Sequence, residues 1–108
     1  MAKKILHRGK LKPGTVEKGP VKYILRLFVT GILTNSLLAI KNVNIICEKY
    51  LRGRYELEVI DIYQQPALAV KEGIVAVPVL VKLSPLPEER VIGDLSNIKT
   101  VLKALQIK

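Results

Sequence analysis

The chain has 108 residues, 49% of them hydrophobic, and a formal net charge of +9. That length fits one domain, with no room for a second core, and the apolar content excludes a wholly disordered chain. One cysteine, Cys47, and one histidine, His7, exclude an intramolecular disulfide and leave a Cys/His zinc site without ligands.

The charge is concentrated at the start. Residues 1–22 hold seven basic side chains against Glu17 alone, together with Gly9, Pro13, Gly14, Gly19 and Pro20. With no sustained apolar period, this segment reads as a solvated, flexible basic tail preceding a domain over residues 23–108. It holds no aromatic residue to stack on bases, which disfavours nucleic acid as its partner.

Residues 23–30, rich in β-branched and aromatic side chains and ending at Gly31, predict a strand buried on both faces. Thr34, Asn35 and Ser36 then supply capping oxygens for a helix. Its apolar stripe runs through Leu37, Ile40, Val43, Ile46, Cys47, Tyr50 and Leu51, and it ends at Gly53. Residues 55–62 alternate as a second strand, so the first half is a βαβ unit with parallel strands. The apolar run from Tyr23 to Ile40 is broken by Arg26, Thr30, Gly31, Thr34, Asn35 and Ser36, so it is not read as a membrane span. A soluble, cytoplasmic protein is expected.

In the second half, Pro66 to Glu72 predicts two turns of helix before Gly73. Residues 74–81 have strand composition, although Pro78 cannot donate a ladder hydrogen bond. Residues 84–87 form a proline corner, residues 90–92 a short strand closed by Gly93 and Asp94, and Ser96 caps a last helix carrying Ile98, Val101, Leu102 and Leu105. The order β-α-β-α-β-β-α matches an α/β, thioredoxin-like fold. A cis bond at Val77–Pro78 suits the strand that faces the site in such a fold; the sequence leaves its isomer open.

Redox chemistry on this fold places a thiolate at the start of the first helix, where free N–H groups and the helix dipole favour it. Residues 31–36 hold no thiol, and Cys47 falls on the apolar stripe, where its role is packing. His7 has no positioned partner, and Asp61 and Asp94 read as turn carboxylates. Neither a phosphate-binding nor a dinucleotide motif occurs. No catalytic residue, metal site or cofactor is expected. The competing readings are a thioredoxin-superfamily redox enzyme and a nucleic-acid-binding module acting through the tail.

From Tyr23 to Leu105 the sequence resembles the KaiB family, in residues 24–31, Asn35-Ser36, Tyr55, residues 59–61, Pro66, Leu68-Ala69 and, most specifically, residues 91–97. Pro78, Lys82 and Pro85 fall in register. The resemblance implies a non-catalytic protein whose one sequence takes two folds. One is a resting β-α-β-β-α-α-β form assembled as a homotetramer or its constituent dimer, and expected of the free protein. The other is a thioredoxin-like monomer that binds the ring of a KaiC-type ATPase, with a KaiA-like protein or a histidine kinase as further partners, in a clock or a stress-response variant of it. It implies Lys82, Arg90 and Tyr55 as partner-binding residues and Gly93, Asp94 and Pro78 as fold-switch residues, with Gly93 a place where substitution biases the balance. The family's basic ring-binding positions are Glu58, Gly73 and Glu89 in this chain.

Overall fold

The computed structural model describes residues 3–5, 22–31 and 33–107. Chain order gives β1 (Lys3–Ile5), β2 (Tyr23–Val29), α1 (Thr34–Tyr50), β3 (Tyr55–Asp61), α2 (Pro66–Lys71), β4 (Val79–Ser84), β5 (Glu89–Ile92) and α3 (Ile98–Ala104). The strands form one sheet in the order β1-β3-β2-β4-β5. Strands β2 and β3 run parallel, with Tyr23 opposite Tyr55 and Val29 opposite Asp61. The pairs β2–β4, β4–β5 and β1–β3 are antiparallel.

Burial follows from the two-residue period of a strand. On one face Leu25, Leu27 and Val29 of β2, Leu57 of β3 and Leu80 of β4 pack against Val43, Ile46 and Cys47 of α1 and Val101 of α3. On the other face Phe28, Ile60, Val79 and Val81 form a smaller cluster, against which Leu68 of α2 and Ile74 pack. Strand β2 is thus covered on both faces over its second half, as its composition predicts. At its start Ile24 and Arg26 are only half-buried.

The second half has the thioredoxin-like order, not the β-α-β-β-α-α-β order that the resemblance implies for a resting assembly. Several boundaries differ from the sequence expectation. Strand β4 begins at Val79 rather than residue 74, because Pro78 has no N–H to pair; it runs on to Ser84. Val77–Pro78, Ser84–Pro85 and Leu86–Pro87 are cis. Helix α1 is capped by no side chain; its first residue follows Leu33, and Ser36 turns inward to accept the Thr30 N–H at 3.1 Å. For α3 the cap is Asn97, whose Oδ1 accepts the Thr100 N–H at 3.1 Å, while the Ser96 N–H donates to Asp94. Lys3–Ile5, read as part of a tail, joins the sheet; residues 6–21 of that reading lie outside the described residues.

The Asn97 cap satisfies one of the otherwise unpaired N–H groups that open α3. Asn97→Ala is expected to cost about 1 kcal/mol of stability, read as a lower urea midpoint with an unchanged slope.

Candidate functional site

Where the thioredoxin-like frame would carry chemistry, the entry of α1 faces the start of β4. Thr30, Leu33, Thr34, Asn35, Ser36, Val77 and Pro78 line an open hollow of about 300 Å³. No thiol lies in it. Cys47 is fully buried on the inner face of α1, and desolvation by burial, with a smaller contribution from Glu48, pushes its thiol up to about 12. A thiol held neutral at physiological pH is neither nucleophile nor metal ligand.

The other candidates for chemistry are bound up in local structure. Asp61 Oδ1 accepts the Tyr63 N–H at 2.9 Å, and Asp94 Oδ1 accepts the Ser96 N–H at 3.0 Å, both as turn carboxylates. Hydrogen bonds from the Ser96 side chain first, then its backbone, hold the Asp94 carboxyl below its ordinary range. Among the described residues no three His, Cys, Asp or Glu side chains converge as a metal site, and no helix is long and apolar enough to cross a membrane. His7 and the nucleic-acid reading of the tail fall outside the described residues.

The three residues expected to act in a fold switch come together. Pro78 O accepts the Gly93 N–H at 2.9 Å, joining the loop before β4 to the end of β5. The next carbonyl, that of Asp94, accepts from Asn42 Nδ2 on α1 at 2.7 Å, which anchors the junction to the first half of the chain. Gly93 has φ +120°, and a Cβ there would meet nothing within 4 Å, so a side chain acts through backbone strain alone. Asn42 was not singled out from the sequence, where the available signal was an amide flanking the apolar stripe.

The partner-binding candidates scatter. Arg90 is exposed, yet its guanidinium donates to Glu72 O at 2.6 Å and Gly73 O at 3.5 Å and pairs with Glu88 at 3.3 Å. It therefore clamps the C-terminal end of α2, where carbonyls lack helical partners and a cation is favoured. Tyr55 is buried and donates its hydroxyl to Glu48 Oε2 at 2.6 Å; desolvation first, then that bond, raises its phenol above the ordinary range.

Lys82 is only 1% exposed. It lies on the same face of β4 as Leu80, between Leu25 of β2 and Glu89 of β5. Among the described residues its ammonium makes no ion pair. In this arrangement only Arg90 of the three is presented to a partner.

The departures from the family's basic pattern are also tied down internally. Glu58 pairs with Arg26 at 3.3 Å, and Arg26 reaches Glu72 at 3.3 Å. Gly73 O takes a bond from Arg90, and Glu89 accepts from Gln106 at 3.1 Å. Arg26 and Glu72, which tie α2 to β2, were not singled out from the sequence, because a surface ion pair between distant segments leaves no local pattern.

The model of the KaiB domain matches residues 26–107. The chain is 46% identical over 85 residues to the circadian clock oscillator protein KaiB of Thermostichus vulcanus, covering 79% of each chain. It is 42% identical over 86 residues to the circadian clock protein KaiB3 of Synechocystis, covering 80% of this chain and 84% of that one. In fold it is similar to the N-terminal domain of Synechococcus elongatus SasA, with a TM-score of 0.63 at 24% identity over 89% of each chain. Mitochondrial thioredoxin 3 of Saccharomyces cerevisiae gives a TM-score of 0.64 at 14% identity, over 80% of this chain and 78% of that one.

Burial protects Cys47, so an alkylating reagent at pH 8 should label it only as fast as the chain unfolds; rapid labelling of the native protein contradicts the packing. Because its folded pKa lies above the ordinary value of 9.0, the Cys47 contribution to stability is complete below about pH 9 and lost as pH rises from there towards 12. Arg90→Ala should cost about 1 kcal/mol and accelerate amide exchange over residues 68–74. Uniform exchange in the two proteins counts against the clamp.

Proposed function

The chain belongs to the KaiB family, and on that premise we propose that it is a non-catalytic regulator that binds the ring of a KaiC-type ATPase in its thioredoxin-like arrangement. Its relatives among circadian clock proteins make it a KaiB-like clock regulator; the ring, and residues 23–108 as the unit that binds it, are our additions. One observation carries the reading. The fold is thioredoxin-like, but the hollow at the entry of α1 is lined by no thiol and the single cysteine is sealed in the core. Such a frame recognises surfaces without making or breaking bonds.

Selection between two packings supplies the regulation. A binding-competent form populated at about 1% lies roughly 2.7 kcal/mol above the resting form and weakens apparent affinity about 100-fold. Resting chains associate, and mass action widens that gap. The thioredoxin-like side of the balance has contributions of both signs. The Arg90 clamp and the Asn42 anchor favour it. Ordering the long Lys82 side chain, which is only 1% exposed, opposes it through lost rotamer freedom. A KaiA-like protein or a histidine kinase is a further partner of the same form.

Co-elution with a KaiC-type ATPase in the presence of ATP, followed over hours, tests the reading. The wild-type chain should join the ring slowly. Lys82→Met puts an apolar side chain at a position only 1% exposed, where its burial favours the thioredoxin-like form, and should accelerate or tighten association. Weaker binding by Lys82→Met would instead place Lys82 at the ring interface. Absence of co-elution for both proteins overturns ring binding.

A further inference from the structure

Backbone geometry along β3 fixes which of its amide groups face outward. Arg54 O accepts the Tyr23 N–H at 2.7 Å and the Ile62 N–H donates to Val29 O at 2.9 Å, one at each end of the parallel ladder between β2 and β3. Alternate residues of a strand serve alternate neighbours. Even-numbered residues of β3 therefore face β2, and the N–H and C=O of Leu57 and Val59 point to the opposite edge. There Ile5 lies opposite Leu57, Lys4 opposite Glu58 and Lys3 opposite Val59, antiparallel. The register makes Ile5 and Lys3 the residues that exchange backbone hydrogen bonds with β3, while the N–H and C=O of Lys4 turn away from it.

We propose that this edge of β3 is a strand-addition site whose resident occupant is the chain's own Lys3–Ile5, an intramolecular cap that an extended protein segment must displace to join the sheet. The inference does not depend on ring binding. An open edge strand presents a row of backbone donors and acceptors that templates pairing with another chain. Here β3 pairs over seven residues with β2 but over only three with β1. So short a ladder barely offsets the entropy of ordering it, and it can be exchanged.

Charge selects the incoming segment. Glu56, Glu58 and Glu72 outnumber Lys22 and Arg26 in the ion pairs of β2, β3 and α2. The resident strand places a lysine in register with Glu58. The segment that fits is thus an extended peptide with a cation at that register position.

Because β1 belongs to the same chain as β3, it competes at an effective concentration on the order of millimolar, so a free peptide competes poorly until β1 is disabled. The test uses the full-length chain, a synthetic peptide spanning residues 2–8, and two variants. Lys3→Pro/Ile5→Pro removes both N–H groups that point at β3; Lys4→Pro removes one that points to solvent. In the wild type the Leu57 and Val59 amides should be protected from exchange. The double variant should lose that protection at least tenfold and bind the peptide at least tenfold more tightly than the wild type, with protection restored on binding. Lys4→Pro should resemble the wild type. Unprotected Leu57 and Val59 amides in the wild type overturn the proposal without reference to any variant. Equal peptide affinity for the wild type and the double variant also overturns it.

Discussion

Strand β2 is the constraint on which the other elements depend. Its backbone is paired on both edges, parallel to β3 and antiparallel to β4, and over its second half its side chains are buried on both faces. A strand in that position tolerates neither a missing N–H nor a shift of one residue, because a slip would exchange the Leu25, Leu27 and Val29 face for the Phe28 face. Helix α1 lies across the first of these faces and returns the chain to β3. The βαβ unit is thereby fixed by contacts that are mostly local in sequence. Everything added to it, α2 on one side and β4, β5 and α3 on the other, is positioned by what β2 and α1 already present.

The additions are held less redundantly. Strand β5 pairs with β4 through four residues, and α2 has only six. Their relation to the first half depends on a few polar contacts: Arg90 on the last carbonyls of α2, Arg26 on Glu72, and Asn42 on the Asp94 carbonyl. Each is worth about 1 kcal/mol or less, since exposed pairs are screened and hydrogen bonds exchange with water. Beside these contacts, Leu80, Leu95, Val101 and Leu105 bury the second half in the core shared with β2 and α1, while the β2-α1-β3 unit depends on none of the three polar contacts. That asymmetry follows from residue counts and partners.

Legibility in the sequence followed the same division. The β2-α1-β3 unit was readable because strand composition, a 3.6-residue apolar stripe and closing glycines all agreed. In the second half, Pro78 displaced the start of β4 to Val79, and Asn97 rather than Ser96 caps α3, since Ser96 is committed to the Asp94 turn. The lack of a thiol at the start of α1 was legible in residues 31–36, and the packing of Cys47 in its position on the helix. Partner residues were not. Lys82 reads as a surface cation by type and is enclosed; Arg90 reads as a free cation and is a clamp. Only three-dimensional pairing distinguishes these roles, because neither depends on neighbours in sequence.

Of positions 58, 73 and 89, where the resemblance implies basic groups, two carry acidic side chains with partners inside the chain: Glu58 holds Arg26 and Glu89 receives Gln106. At position 73 Arg90 reaches the backbone carbonyl, which any residue there would present. The surface that results is less positive over β2, β3 and α2, although the whole chain carries +9. Charge at an interface acts mainly on association rate and partner choice. The compensating positive charge is gathered at the N-terminal end, where Lys3–Ile5 meets the edge of the acidic strand β3.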